Sequence, residues 1–321
     1  MGFLRIISID KPKGWTSFDV VRFVKRQFQE KKVGHLGTLD PMATGILPIF
    51  LGQATRLIPL FNNVDKTYRA VCKLGETTDT YDAEGTVTEI LDTKFLNPEE
   101  VTKAVNSFLG QQEQQTPAFS AAKFNGVPAY KLARQGLNVP EKIRSVTFHE
   151  VEVESVELPY VQFRIRCSKG TYIRTMANDL GLILKVGGHL TSLERLACGK
   201  WFNTDNSISI EELKKIENET DVPWISPLKL LNHLYTVYAD LEMQTSIKFG
   251  RRVEVSAPLE VMQHTQMTSE IDFSAERNLL PTKVLDCDHN LVAIGSVMWE
   301  NDVYYFKPSK VFSYKEDYFI C

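Results

Sequence analysis

The sequence predicts a chain that mixes helices and strands in two units, a larger one over residues 1–234 and a small β-rich one over 235–321. Three observations predict this. Capped helix starts alternate with strand-like runs through the first 215 residues. A tract near 222–238 is interrupted by Pro223 and Pro227. Beyond it come short strand candidates with no long helical period. A length of 321 residues leaves room for two domains.

The elements follow in order. Residues 4–9 form an apolar strand candidate that ends in the turn signal Lys11-Pro12-Lys13-Gly14. Thr16-x-x-Asp19 is a capping box ahead of a helix. Its apolar face would be Phe18, Val21, Val24 and Phe28, and its basic face Arg22, Lys25 and Arg26. Residues 33–41 hold two glycines and a proline with little periodicity, which predicts a tight structured loop, and the apolar run 46–51 follows. Residues 66–74 and 85–91 read as strands. Between them, 79–85 resembles a calcium loop, but Tyr81 stands where an oxygen ligand is required, so that reading fails.

Asn97-Pro98 starts a second helix that would bury Val101, Ala104, Val105 and Phe108. Residues 111–146 are polar and predict an insertion of loops with a short helix near 130–135. Residues 151–158 and 161–167 predict a hairpin, with Val161, Phe163, Ile165 and Cys167 on one face and Arg164 and Arg166 on the other. A helix over 173–184 and a last capping box, Ser209-x-x-Glu212, complete the larger unit. The tail offers strands at 252–255, 283–287, 291–297 and 304–306.

The composition is that of an ordinary globular protein, 43% hydrophobic and 24% charged. No segment approaches the roughly 20 apolar residues of a membrane span, and residues 1–15 do not read as a signal peptide. Five cysteines (72, 167, 198, 287, 321) without a CxxC pair argue against a disulfide framework or a zinc ribbon and suit a reducing cytoplasm. The net charge of -3 hides two basic blocks. Residues 1–75 carry 12 Lys and Arg against 5 Asp and Glu, a net of +7, and residues 120–200 carry 12 against 7, a net of +5. The last 87 residues carry 8 against 13, a net of -5. Clustered cations suit a phosphate backbone, although solvated faces also produce them.

Three residues are candidates for chemistry. Asp40 sits in the glycine-rich loop, held extended by Pro41. Such a carboxylate either caps a turn or does catalysis, and local context leaves both open. Tyr68 could stack on a base or pack in a core, and Arg174 could pair with a catalytic carboxylate or form a surface ion pair. The sequence does not show by itself that the three meet.

The stretch Gly34-His35-Leu36-Gly37-Thr38-Leu39-Asp40-Pro41, with Ala43, Gly45, Leu47 and Pro48, resembles the catalytic motif of the TruB family of pseudouridine synthases. Four further stretches resemble that family in order and spacing. They are Lys11-Pro12-x-Gly14-x-Thr16-Ser17, Lys66-Thr67-Tyr68, Ser120-Ala121-x-Lys123-x-x-Gly126 with Tyr130, Ala133, Arg134 and Gly136, and Ser168-Lys169-Gly170-Thr171-Tyr172-Ile173-Arg174. The resemblance covers about residues 4–205, and His189 to Arg195 also fits it. It implies an α+β catalytic domain around a mixed, mostly antiparallel central sheet. It also implies isomerisation of uridine to pseudouridine at position 55 in the tRNA T-loop, with base flipping and without metal or cofactor.

By the same resemblance Asp40 is the nucleophile, Arg174 its partner, and Tyr68 stacks on the target base and serves in the final deprotonation of C5. Leu193 lines the base pocket. His35 fills the space left by the flipped base, Tyr172 supports the pocket, and Lys11 and Lys169 meet phosphate. Lys123, Tyr130 and Arg134 belong to an RNA-contacting insertion. The implied partner is the T-stem-loop of tRNA, with no protein partner, and the implied state is a monomer. Three departures stand out: Leu36 for a frequent Ala, Phe119 for a frequent Tyr, and Glu194, a charge reversal near the expected RNA face. The ending Lys307-Pro308-Ser309-Lys310-Val311 with Gly295 is similar to a PUA-like RNA-binding domain, against which its acidic charge stands. A non-catalytic RNA-binding or tRNA-folding protein on the same scaffold is the alternative, since Gly34-His35-Leu36-Gly37 also fits a Gly-x-x-Gly backbone clamp. The same reaction on another RNA is a third reading.

Overall fold

The computed structural model describes residues 4–120, 123–124, 126–137, 139–140, 142–256 and 279–312. The chain runs through β1 (Arg5–Lys11), α1 (Ser17–Gln27), β2 (Val33–His35), β3 (Thr44–Leu51) and β4 (Lys66–Leu74). The ribbon β5 (Glu76–Thr78) and β6 (Val87–Ile90) follows, then α2 (Pro98–Asn106) and β7 (Gly110–Gln115). Next come β8 (Lys123–Phe124), β9 (Val127–Pro128), α3 (Ala129–Arg134) and the hairpin of β10 (Ile143–Glu157) and β11 (Tyr160–Cys167). After α4 (Ile173–Ile183) lie β12 (Gly188–Cys198), β13 (Phe202–Asn203), β14 (Ser207–Ser209), α5 (Ile210–Lys215) and α6 (Pro227–Leu230). The last elements are β15 (Tyr235–Tyr238), α7 (Leu241–Lys248), β16 (Val253–Val255), β17 (Leu280–Leu285), β18 (Leu291–Glu300) and β19 (Val303–Val311).

The main sheet runs in the order β14-β1-β3-β12-β4-β11-β10-β7, with β2 on β3 and β13 on β12. The pairs β1–β14 and β3–β12 are parallel and the rest antiparallel, the mixed sheet expected. A second sheet has the order β15-β17-β18-β19-β16. Among the described residues no helix is long and apolar enough to cross a membrane.

Local chemistry explains the helix starts. Thr16 and Asp19 cap each other's backbone at α1, and Ser209 and Glu212 do so at α5. The α1 face differs from expectation, because Ser17, Val20, Val21 and Val24 are buried while Phe18 is exposed. The polar tract after 110 is also not all loop, since β7 pairs with the first part of β10.

One end of the sheet is buried on both faces. Ile7, Ile9, Leu47 and Ile49 join a core under the helices, while Ile6, Ile46 and Phe50 join a second core with Leu231, Leu285, Leu291 and Ile294. That burial is why 46–51 reads as an unbroken apolar run. The second sheet is thereby fastened to the first through shared apolar packing.

The loop between β2 and β3 carries Asp40 and is pinned at several points. Ser17 Oγ accepts from Leu39 N at 2.8 Å and donates to Leu39 O at 3.1 Å. Gly14 N donates to Pro41 O at 2.8 Å. Lys11 is fully buried, and its ammonium donates to Trp15 O at 2.6 Å, Pro12 O at 3.0 Å and Pro41 O at 3.4 Å. The expected phosphate contact of Lys11 is therefore corrected: its charge braces the loop from within. Burial lowers its pKa from 10.5 to about 8, and nearby Asp40 works in the other direction.

Where β3 meets β12, Gly45 has φ +95° and an added Cβ would lie 2.3 Å from Arg195 O. The Gly45→Ala variant is expected to lose about 2 kcal/mol or more of stability, read as a lower urea midpoint. Lys11 generates a pH signature. Folded Lys11 binds fewer protons than unfolded Lys11 between pH 8 and 10.5, so its unfavourable contribution is full below that window and fades as pH rises through it. The stability of the native chain relative to Lys11→Met should increase across that window in parallel denaturant titrations.

Candidate active site

A cleft of about 640 Å³ opens on the helix-covered side of the main sheet, and Asp40, Tyr68, Cys167, Arg174, Leu193 and Arg195 are among its lining residues. Arg174 lies in the first turn of α4, whose N-cap residue Tyr172 is clasped by Gln114 through both its N–H (2.7 Å) and its carbonyl (2.9 Å). The Arg174 side chain is 6% exposed, and acceptors surround it. Nε meets Asp40 Oδ2 at 2.9 Å. Nη1 donates to Thr80 O at 3.1 Å and faces Asp82 Oδ2 at 3.3 Å. Nη2 donates to Phe119 O at 2.9 Å. A planar guanidinium with this many directed bonds fixes the orientation of the carboxylate it holds.

Asp40 remains 38% exposed at its side chain, so it faces the cleft while Arg174 lies behind it. Asp82 is buried and held by Thr80 Oγ1 at 2.7 Å and by Glu84 N at 3.1 Å. Glu84 stands on the same loop. Burial, then Asp82 and Asp40, push its carboxyl above the usual range. Three carboxylates, Asp40, Asp82 and Glu84, therefore gather around Arg174, with the Lys11 ammonium near them.

The register of β4 and β12 builds the opposite wall. It pairs Tyr68 with Arg195, Arg69 with Glu194 and Ala70 with Leu193. Alternation puts Tyr68, Leu193 and Arg195 on the cleft side and Glu194 on the other face, where it reaches Arg69 at 3.4 Å. The charge reversal at Glu194 thus points away from the cleft.

Burial pushes the Tyr68 phenol up to about 12, while Arg195 beside it acts in the opposite sense. Arg195 is 1% exposed and donates from Nε to Ile46 O at 2.6 Å and from Nη2 to Gly37 O at 3.0 Å. Gly37, at φ +75°, leaves room for that guanidinium, since a Cβ there would stand 3.1 Å from Arg195 Nη1.

The remaining candidates divide. Leu193, Lys169 and Tyr172 line the cleft, and Lys169 Nζ bonds Asn63 Oδ1. His35 lies on β2 next to Gly37 and Arg195, its Nδ1 buried without a partner, and burial followed by Arg195 lowers its pKa. Lys123 falls on β8, and Tyr130 and Arg134 fall on α3; their side chains lie outside the described residues. Sequence reasoning missed Asp82, the carbonyls of Thr80 and Phe119, and Arg195. The repeated aspartates of 79–85 were the available signal for Asp82. Only the β4–β12 register could place Arg195 opposite Tyr68.

Residues 25–173 match the model of the TruB family pseudouridylate synthase N-terminal domain. The chain is 46% identical over 234 residues to the tRNA pseudouridine synthase B of Geobacter sulfurreducens, covering 72% of this chain and 76% of that one. It is 35% identical over 302 residues to the enzyme of the same name from Pasteurella multocida, covering 92% and 95%. Among solved structures, a chain from a Cbf5-Nop10-Gar1 complex superposes with a TM-score of 0.69 at 24% identity, over 98% of this chain and 86% of that one, which is a likeness of fold. A matched segment that includes Asp40 and Tyr68, and extensive identity to relatives over most of both lengths, lead to one conclusion: the chain belongs to the TruB family of pseudouridylate synthases.

Proposed function

We propose that this chain isomerises uridine to pseudouridine in tRNA and that its target is the T-loop uridine at position 55. The observation that carries the reading is the Asp40–Arg174 pair, with an exposed carboxylate backed by a buried guanidinium inside a cleft. Family membership and relatives named tRNA pseudouridine synthase B support it. A protein that only bound or folded RNA would have no need of a carboxylate held toward its cleft, which would repel phosphate.

In this reading the T-arm docks and the target base leaves its stack, at a cost of roughly a few kcal/mol. His35 fills the vacated space, and the base enters between Tyr68 and Leu193. Asp40 acts as the nucleophile, and an attack at C1′ would stabilise oxocarbenium character as the N1–C1′ bond opens. Arg174 keeps the carboxylate aimed. The uracil turns, C5 bonds to C1′, C5 loses its proton and N1 gains one, so the atoms balance without a co-reactant. Tyr68 removes the C5 proton, with Arg195 beside it offsetting part of the burial that raises its phenol. The reading implies a monomeric cytoplasmic enzyme that uses no cofactor.

Tritium release from tRNA labelled at C5 of uridine tests the reading. The native chain should release tritium and should accept a T-stem-loop minihelix. No release, or release only from another RNA, would overturn the activity or the position. Asp40→Asn should lower release by at least ~10⁴-fold while minihelix affinity persists, and retained release would remove Asp40 from its role. Tyr68→Phe keeps the ring and removes the hydroxyl. Its turnover should fall by about 100-fold or more with little change in RNA affinity, measured by single-turnover kinetics beside a binding titration.

A further inference from the structure

Two cleft-lining side chains hold a buried polar atom with no hydrogen-bond partner among the described residues, Ser120 at Oγ and Arg144 at Nε. Folded proteins rarely leave such atoms unsatisfied, and a ligand is one explanation when both face one cavity. Ser120 is 4% exposed and follows Phe119, whose carbonyl accepts from Arg174. It therefore sits at the depth of the Asp40–Arg174 pair, where the reacting base must lie. Arg144 lies against the turn at Gly170, with Nη1 3.5 Å from where a Cβ would stand, and shares that side of the cleft with Lys169. Other arginines of the main sheet, Arg69, Arg164 and Arg166, are engaged with carboxylates on the far face. Arg144 has no carboxylate partner among the described residues.

We propose that Ser120 and Arg144 together clamp the target nucleotide, the Ser120 hydroxyl on a carbonyl oxygen of the uracil and the Arg144 guanidinium on that nucleotide's phosphate. This rests on the reading above and names contacts within that site. The chemistry assigns the two ligands. A hydroxyl suits a neutral carbonyl, and a guanidinium suits a phosphate. The uracil must turn during the reaction. A turn about the axis through N3 and C6 exchanges N1 with C5 and also O4 with O2. A hydroxyl fixed in the wall therefore meets a carbonyl oxygen before the turn and another after it. Ser120 can hold the detached ring in both orientations without moving.

Minihelices carrying a single altered atom test this. The target is 2-thio- or 4-thiouridine, whose sulfur accepts poorly, or the phosphate 5′ of the target is replaced by an uncharged methylphosphonate. Each change should slow the native chain by about fivefold. Ser120→Ala should be slowed to a similar degree on unmodified RNA and should lose little more on the thio substrates. Arg144→Gln should show the same saturation with the methylphosphonate. Arg144→Gln should also flatten the dependence of log affinity on log salt by about 0.7, and Arg144→Lys should restore it.

Penalties that multiply fully in the combined variant and substrate, or variants within twofold of native on unmodified RNA, would overturn the clamp. An unchanged salt slope would overturn its phosphate half. A native chain that fails on unmodified uridine would instead overturn the proposed activity, so the two failures are distinguishable.

Discussion

A guanidinium taken out of water has to find acceptors for its N–H groups, and much of the candidate site follows from how Arg174 does so. Its four partners come from three places: Asp40 in the β2–β3 loop, Thr80 and Asp82 in the turn before β6, and Phe119 after β7. Removing one acceptor would leave a buried charge partly unpaired, which is the costly case for buried ions. The arginine thus ties together segments that have no reason of their own to meet. The aim of Asp40 depends on all of them.

A second buried arginine does comparable work across the cleft. Arg195 holds Gly37 and Ile46 by their carbonyls and stands beside Tyr68. The two arginines and Lys11 put positive charge behind the site, bound mainly to backbone oxygens. The opposite face of the sheet is covered by cross-strand pairs, Arg69 with Glu154, Arg164 with Glu152 and Arg166 with Glu150. Such exposed pairs add little stability each. Their effect is to neutralise acidic side chains on the face away from the cleft.

What could be read from the sequence was local. The caps at Thr16, Asn97 and Ser209 involve residues within three positions of one another, so they were legible. The strands β4 and β11 alternate because one face is buried and the other carries charge. β12 shows no clear strand pattern in the sequence. It carries Ser192, Glu194 and the buried Arg195, and irregular register against β4 near Ser192 disturbs its alternation. The Asp40, Tyr68 and Arg174 motifs were visible as motifs. Their meeting depended on sheet order. The phosphate role given to Lys11 failed for a related reason, because a lysine in a turn motif looks solvated until the loop closes over it. Tyr81 rules out a calcium loop at 79–85, and the Asp82 carboxylate of that loop serves a protein cation instead.

The distances along the chain that separate these partners have a kinetic meaning. Arg174 bonds to carbonyls 94 and 55 positions away, and Arg195 to carbonyls 158 and 149 positions away. Loop closure over such spans precedes any return in contact energy, so these bonds form late in folding. The capped helices and the β10–β11 hairpin need no such closure. A chain emerging during synthesis therefore carries its helices and local hairpins before it carries the Asp40–Arg174 site. The centre becomes complete only after β12 has been made and inserted between β3 and β4.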